Sequence, residues 1–177
     1  EELELKYKLT KIDITKNEQF LENFSKISPL NKIPVIIDNK EIVFESGAIL
    51  IYLAKKNNFR FYNQKYEINI NEWLMVQVSF VGPMLGQLHF FYKFNKGKSE
   101  YAENRFLDLA KKIYEYLDIQ LSKNKYLACN EYTIADIAED LHVSQNHLVK
   151  VVHFMGKQHW IVTIRGKGGG LYLNPEA

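Results

Sequence analysis

The fold of the first half of this chain is decided by residues 33–50, which read IPVIIDNKEIVFESGAIL. Two apolar, largely β-branched segments, 35–37 and 42–44, flank a polar turn at residues 38–40. This pattern predicts a β-hairpin with a three-residue loop. Ser46 follows the second segment and precedes an apolar stretch reaching Lys56, which predicts a helix capped by Ser46.

The residues before this hairpin extend it into a larger unit. Apolar and polar residues alternate from Leu5 to Ile14, which predicts a strand. Apolar residues then recur at helical spacing over residues 20–27. The order strand, helix, hairpin and helix is typical of an α/β unit.

The residues that follow have a helical pattern. We expect one long helix from about Tyr66 to Phe94, bent at Gly82-Pro83, and a second from Ser99 to Leu121. Thr133 and Asp136 have the spacing of a reciprocal N-terminal cap, so a further short helix should begin there. The fold class is therefore α/β plus all-α.

The composition changes at the C-terminal end of the chain. Residues 1–138 contain 19 basic and 18 acidic residues, whereas residues 141–173 contain no acidic residue. In that tail, Ser144 should cap a helix reaching about Lys157, and strands are expected at 160–164 and 171–173, around a glycine-rich turn. The net charge of +2 gives no argument for nucleic-acid binding by the whole molecule. The tail, which has basic but no acidic residues between 141 and 173, does favour such binding.

Composition also excludes several classes of protein. A hydrophobic content of 46% is that of a folded chain. The apolar stretch from Val76 to Phe91 is short and interrupted by polar residues, so we expect no membrane span. The single cysteine, Cys129, forms no internal disulfide, which indicates a reducing, cytoplasmic location. The histidines do not share metal-ligand spacing, so no metal site is predicted.

Several separated motifs carry a resemblance to a known family. Residues 33–35 and 44–50 resemble the glutathione-binding edge of glutathione S-transferases. Residues 73–75 and 82–87 resemble the nu-class transferases and the bacterial glutathione-dependent disulfide reductases. Residues 126–138 are similar to the entry into a buried helix of the transferase all-α domain. The resemblance implies a truncated thioredoxin-like domain at 1–60 and a transferase-like helical domain at 61–138.

The same resemblance implies glutathione as ligand or cosubstrate. A cis peptide bond at Pro34 would turn the backbone N–H and C=O of Ile33 towards the cysteinyl part of the tripeptide. Ser46, at the helix start, would receive the γ-glutamyl carboxylate, and Glu45 would hold its ammonium group. The alternative is that Ser46 only caps a helix and Pro34 only shapes a loop. The glutathione-contacting residues implied are Gln19, Ile33, Pro34, Glu45, Ser46 and Arg105.

The match to the transferases begins part-way into their fold. Glu1 to Tyr7 resemble the end of the family's first helix, so the preceding strand and the turn that activates the glutathione thiolate have no counterpart in this sequence. We therefore expect impaired catalysis and predict no catalytic residue. Whether the chain is an enzyme is left open at this point.

The tail resembles a second family. Residues 133–150 are similar to the helix-turn-helix of Rrf2 regulators, especially the nitric-oxide-responsive members, and residues 165–171 resemble their wing. This implies a winged helix-turn-helix fragment at 133–177 that contacts DNA bases and phosphates. The cysteines that hold the iron–sulfur cluster in that family have no counterpart, so no cluster is expected. The DNA-contacting residues implied are Ser144, Gln145, Asn146, His147, Lys150, Arg165 and Lys167.

Three interpretations follow from these resemblances. The first is a glutathione-binding protein of transferase or disulfide-reductase ancestry. The second is a DNA-binding regulatory module of the Rrf2 type. The third is a fusion or assembly artefact, joined at the sequence TIADIA of residues 133–138, without a selected function. Glutathione, weakly bound double-stranded DNA and a second copy of the chain are the partners to be tested, and no membrane partner is expected.

Overall fold

The predicted hairpin and the helix after it both form. The computed structural model describes residues 2–142, 161–164 and 170–173. Strands β1 (Val35–Asp38) and β2 (Glu41–Phe44) pair antiparallel. Asp38 faces Glu41 in this register, so the turn contains two residues and the predicted three-residue loop is wrong. The reason is that the ladder continues through two polar residues that resemble turn residues in sequence.

The two faces of the hairpin have different surroundings. Helix α2 (Ser46–Lys56) packs against both strands. On the opposite face the register pairs Val35 with Phe44 and Ile37 with Ile42, and Ile37 is 61% exposed. The hairpin is therefore covered by a helix on one side and carries apolar side chains on its open side.

The predicted strand from Leu5 to Ile14 is wrong. Residues 4–13 form neither helix nor strand, and the sheet that contains β1 has only two strands among the described residues. Alternation of apolar and polar residues specifies two faces, but a strand also needs a hydrogen-bonded neighbour. Short 3₁₀ turns follow at Ile14–Lys16 and Glu18–Phe20, and helix α1 spans Glu22–Ser25.

The predicted long helix is present as a continuous helical run with two irregular segments. Helix α3 (Glu67–Val76) continues through a π-helical turn, Gln77–Val81, into α4 (Gly82–His89). A second π-helical turn, Phe90–Phe94, ends the run. The first irregular turn lies directly before Gly82-Pro83, where the bend was predicted, because Pro83 has no N–H to donate to the preceding turn.

By length and composition alone, the run from Gln64 to Phe94 could cross a membrane: one 18-residue window within it has a mean hydropathy of 1.3, and 28% of that window is buried inside the protein. Within the fold it supplies much of the core. Ile70, Leu74, Val81 and Leu88 are almost completely buried and belong to one cluster with residues of α5 and α6. One side of this run thus packs inside the helical domain, whereas apolar side chains such as Ile68 and Phe94 remain exposed.

Helix α5 (Glu100–Lys123) matches the second predicted helix. The side chain of Ser99 accepts a hydrogen bond from the N–H of Ala102 at 3.3 Å, so Ser99 is its N-cap. The buried side of α5 includes Ile113 and Leu117, and the helix contacts α4. Its position is as predicted.

Helix α6 (Ile134–His142) begins with the predicted reciprocal cap. The Asp136 carboxylate accepts from the N–H and hydroxyl of Thr133 at 2.8 and 2.9 Å, and from the N–H of Leu127 at 2.9 Å. The N–H of Ile134 donates to the carbonyl of Phe61 at 2.8 Å. The start of α6 is therefore attached to two preceding loops.

Two strands in the tail form as predicted. Strands β3 (Ile161–Ile164) and β4 (Gly170–Leu173) pair antiparallel, with Ile164 opposite Gly170. The predicted helix-turn-helix falls mainly on residues outside the described ranges.

Candidate ligand-binding edge at the start of helix α2

The loop that enters β1 is held by a buried serine. The hydroxyl of Ser28 donates to the carbonyl of Lys32 at 2.8 Å and accepts from the N–H of Lys32 at 2.9 Å. The Ile33–Pro34 peptide bond that follows is cis, as the resemblance implies. Ile33 is 54% exposed, so this residue lies at the surface of the edge.

Glu45 connects β2 to α2 in an unusual backbone conformation. Its φ of 67° and ψ of 121° lie in a region that residues other than glycine rarely occupy. The carbonyl of Glu45 accepts from the N–H of Ile49 at 2.9 Å, so Glu45 is the N-cap position and Ser46 is the first helical residue. The prediction that Ser46 caps α2 is therefore wrong by one position. Strained residues of this kind are frequent at ligand sites.

The register of the hairpin places the predicted residues at one end of the sheet. Val35 pairs with Phe44, so Pro34 and Glu45, the next residues outward on each strand, lie at the same end. Ile33 and Ser46 adjoin them in sequence. The structure thus brings four of the six predicted contact residues to one junction.

The charge distribution at this junction suits a zwitterionic ligand. An α-helix carries the equivalent of about +0.5 charge at its N-terminus, where its first N–H groups point outward. The first turn of α2 contains no acidic residue, and the carboxylate of Glu45 directly precedes it. The edge can therefore attract a carboxylate at the helix start and an ammonium group at Glu45.

A side-chain network fixes α2 against the hairpin. Asp38, in β1, accepts hydrogen bonds from Lys56 and from the hydroxyl of Tyr52, the latter at 2.9 Å. The hydrogen bonds from Lys56 and then Tyr52 lower the pKa of Asp38 below its usual value. The hydrogen bond to Asp38 raises the pKa of Lys56. All three groups lie on the surface, so the network positions the helix without being a reactive site.

The two remaining predicted contact residues lie on other elements. Gln19 is in the 3₁₀ turn Glu18–Phe20, and its side-chain oxygen Oε1 is buried with no hydrogen-bond partner among the described residues. Arg105 is on the exposed side of α5, a helix that contacts α4 and the second π-helical turn. Their roles remain predictions.

The predicted DNA-contacting residues lie outside the described ranges. Ser144, Gln145, Asn146, His147 and Lys150 follow α6 in sequence. Arg165 and Lys167 fall in the segment of sequence that connects β3 to β4. Within the residues that the structure describes, no group of three or more His, Cys, Asp or Glu side chains could hold a metal ion.

Two features of the site were missed by sequence reasoning. The Asp38–Tyr52–Lys56 network had a usable signal, because Tyr52 and Lys56 are four residues apart and share one face of α2. The conformation of Glu45 had none, because glutamate carries no preference for positive φ.

Comparison with known proteins now identifies the family. Residues 1–55 match the family model described as glutathione S-transferase, N-terminal domain. The disulfide-bond oxidoreductase YfcG of Escherichia coli is 40% identical over 78% of this chain and 68% of its own length. The fold and its edge are those of a thioredoxin-like plus helical transferase. The chain belongs to the glutathione S-transferase family.

Solved structures agree with this assignment. A glutathione transferase from Pseudomonas putida, crystallised with one glutathione disulfide per subunit, matches with a TM-score of 0.75 and 33% identity over 86% of this chain and 72% of that one. A glutathione transferase from Burkholderia graminis, with two glutathione molecules per subunit, matches with a TM-score of 0.79 and 31% identity over 88% of this chain and 68% of that one.

The match to the family is partial in length. Two glutathione S-transferase domain-containing proteins of Dictyostelium discoideum are 40% and 38% identical over 75% and 77% of this chain, which covers only 54% and 57% of their lengths. Residues 113–177 match a second family model, Rrf2, described as an iron-dependent transcriptional regulator. This second match includes the C-terminal half of α5, all of α6 and the β3–β4 hairpin.

Proposed function

We propose that this protein binds glutathione at the junction of β2 and α2. The observation that carries the proposal is the position of Glu45, held at a φ of 67° directly before the first turn of α2. The γ-glutamyl carboxylate would accept hydrogen bonds at the helix start from Ser46, and the γ-glutamyl ammonium group would pair with Glu45. Ile33 would pair with the cysteinyl backbone in the manner of an added strand.

The remaining contacts follow from the family resemblance. Gln19, with its buried and unpartnered Oε1 atom, and Arg105, with its exposed guanidinium group, would contact the ends of the tripeptide. The relatives named as disulfide-bond oxidoreductases favour thiol–disulfide chemistry of glutathione over other transfer reactions. Thiol–disulfide chemistry is therefore the activity proposed for this chain.

Titration calorimetry of the full chain with glutathione tests this proposal. We expect binding to weaken about tenfold in Ser46→Ala, because one hydrogen bond to a charged ligand group is lost. Ser122→Ala is the matched control, since Ser122 is exposed on α5 and its hydroxyl donates only to the carbonyl of Ile119, at 2.7 Å. Equal affinity in the wild type, Ser46→Ala and Ser122→Ala would reject this site.

A second candidate function is DNA binding by the tail. The observation that favours it is the β3–β4 hairpin, because the segment that connects its strands reads Arg165-Gly-Lys-Gly-Gly, the composition expected of a wing. Ser144, Gln145, Asn146 and His147 would lie at base edges, and Lys150 and Lys167 near phosphates. Rrf2-like proteins use two recognition helices on a two-fold site, so binding would require a homodimer.

Gel-shift titrations at several salt concentrations test this second candidate. We expect weak binding that falls steeply as salt rises, because the affinity rests on a few phosphate contacts. Arg165→Ala should lower it by about 1–3 kcal/mol if Arg165 contacts a base. The DNA-binding role would be rejected if binding is absent at low salt. It would also be rejected if Arg165→Ala and Lys150→Ala both bind DNA as tightly as the wild type.

The two candidates also bear on how the chain arose. We propose that segments of two families are joined near residues 133–138, where both begin a helix. Sequencing the genomic DNA and the transcript across these codons tests the alternative of an assembly artefact. A continuous transcript would support a genuine fusion, and two separate transcripts would reject it.

A further inference from the structure

Gly47 joins the first turn of α2 to the long helical run. It is buried, and of the buried residues of α2 it lies nearest the start of the helix. A Cβ atom at Gly47 would lie 3.4 Å from Cγ1 of Val78 and 3.6 Å from Cγ of Leu74. The backbone of α2 is therefore so close to the run that one methyl group fills the remaining space. A larger side chain at this position would have to move α2 or the run.

The surface that Gly47 contacts on the run is firm. Leu74 and Val78 are four residues apart, a spacing that places two side chains on the same face of a helix. Leu74 is completely buried in α3, and Val78 belongs to the first π-helical turn. Valine is branched at Cβ and has one strongly preferred rotamer in a helix, so Val78 has little freedom to turn away from Gly47.

The contact at Gly47 lies two residues after the strained conformation of Glu45. Such a conformation persists only where the surrounding structure imposes it. Before Glu45, the hairpin ladder holds Phe44 opposite Val35. After Glu45, the N–H of Ile49 donates to the Glu45 carbonyl at 2.9 Å and begins α2. The packing of Gly47 fixes where that first turn lies, so it supports the conformation of Glu45 from the helix side.

From these features we infer that Gly47 and Val78 are positioning residues for the ligand-binding edge. The inference rests on the glutathione site proposed above. That site requires the first N–H groups of α2 and the Glu45 carboxylate to be placed within roughly 0.5 Å of their productive positions. A shift of α2 away from the run would move both groups together, and away from Ile33 on the other strand. The helical domain thus sets the geometry of an edge that the hairpin unit provides.

Two measurements on the full chain test this inference: titration calorimetry with glutathione and hydrogen exchange of the Ile49 amide. Gly47→Val places a larger side chain against Val78. We expect glutathione to bind at least roughly tenfold more weakly and the Ile49 amide to exchange at least roughly tenfold faster. In Gly47→Val/Val78→Ala the added volume is removed again, so both values should return to within about threefold of the wild type. Gly47→Ala should bind like the wild type, because its Cβ makes ordinary contacts.

Gly86→Val is the matched control for the added side chain. Gly86 is an exposed residue of α4, and a Cβ atom there would meet no atom within 4 Å. This variant should leave glutathione affinity and Ile49 exchange unchanged. The Ile134 amide, which donates to the Phe61 carbonyl at 2.8 Å, is the internal reference. A shift of α2 accelerates Ile49 alone, whereas general destabilisation accelerates both amides.

The outcomes separate this inference from the proposed function. Equal affinity in the wild type and Gly47→Val, no recovery in the double variant, or an equal loss in Gly86→Val would overturn the positioning role and leave the glutathione site standing. If the wild type binds no glutathione, the proposed function fails. The exchange data then decide the positioning role alone, and equal acceleration of Ile49 and Ile134 in Gly47→Val would reject it.

A milder variant covers the case in which Gly47→Val does not fold. Val78→Ile adds one methyl group to the same contact from the side of the run. We expect weaker glutathione binding and faster Ile49 exchange, in the same direction as for Gly47→Val but smaller. Wild-type affinity together with wild-type Ile49 exchange in Val78→Ile would also refute the inference.

Discussion

Replacing Asp136 by alanine should be among the most destabilising single substitutions in this protein. Asp136 is 8% exposed, and its carboxylate accepts three hydrogen bonds, from the N–H of Leu127 and from the N–H and hydroxyl of Thr133. Its removal leaves two buried backbone N–H groups without their acceptor, each costing about 1–3 kcal/mol, and also removes half of the helix cap. We expect a loss of about 3–5 kcal/mol in the free energy of unfolding.

Urea unfolding, followed by circular dichroism and tryptophan fluorescence, measures this loss. In thermal unfolding, the same loss should lower the melting temperature of a chain of this size by about 6–20 °C. Thr133→Ala should cost less, about 1–2 kcal/mol, because it leaves one buried backbone N–H, that of Ala135, without its acceptor. A double-mutant cycle should show coupling between Thr133 and Asp136, since the two side chains are in direct contact.

Glu100→Ala provides the control for this prediction. Glu100 is an exposed acidic residue in the first turn of α5, so its removal should cost only about 0.3–1 kcal/mol through the helix dipole. If Asp136→Ala costs no more than Glu100→Ala, the buried cap does not stabilise α6 in the way argued.

Two further predictions concern other parts of the molecule. Burial, and then the charge of Glu139, raise the pKa of Tyr114 to about 12, so the folded state retains this proton where the unfolded state loses it. Stability should therefore fall between about pH 10 and pH 12, and less so in Tyr114→Phe, which alkaline unfolding curves would reveal or disprove. Gly47→Ala should be neutral or stabilising by up to about 1 kcal/mol, because the added Cβ would lie 3.4 Å from Val78 and 3.6 Å from Leu74; a clear loss in thermal unfolding would contradict this.

The part of the fold that could be predicted rests on local periodicity and capping. The hairpin, α2, α5 and the start of α6 all follow from patterns contained within each segment. The turn length was wrong because Asp38 and Glu41 are polar residues that pair in the ladder, which polarity alone does not reveal. The strand at Leu5 to Ile14 was wrong because pairing depends on a neighbour that no local pattern specifies.

The candidate site could also be predicted only in part from local sequence patterns. All six contact residues were predicted through the family resemblance, but for Ile33, Pro34, Glu45 and Ser46 the predicted hairpin also explains why they lie together, because it joins the ends of its own strands. Gln19 and Arg105 entered only through the family resemblance, since no local pattern brings a 3₁₀ turn or a distant helix to that edge. The contact between the loop after α2 and the start of α6, where the N–H of Ile134 donates to the carbonyl of Phe61, was not predictable, because these segments meet only through tertiary packing.

The first turn of α6 is held by hydrogen bonds from its own residues and from two preceding loops. The hydrogen bonds described at that helix start are made among Phe61, Leu127 and residues 133–137. A substitution elsewhere in the chain that leaves these residues in place therefore removes none of the hydrogen bonds that begin the helix. Tolerance to substitution at the start of α6 should therefore be lowest at Thr133 and Asp136, whose side chains make the cap.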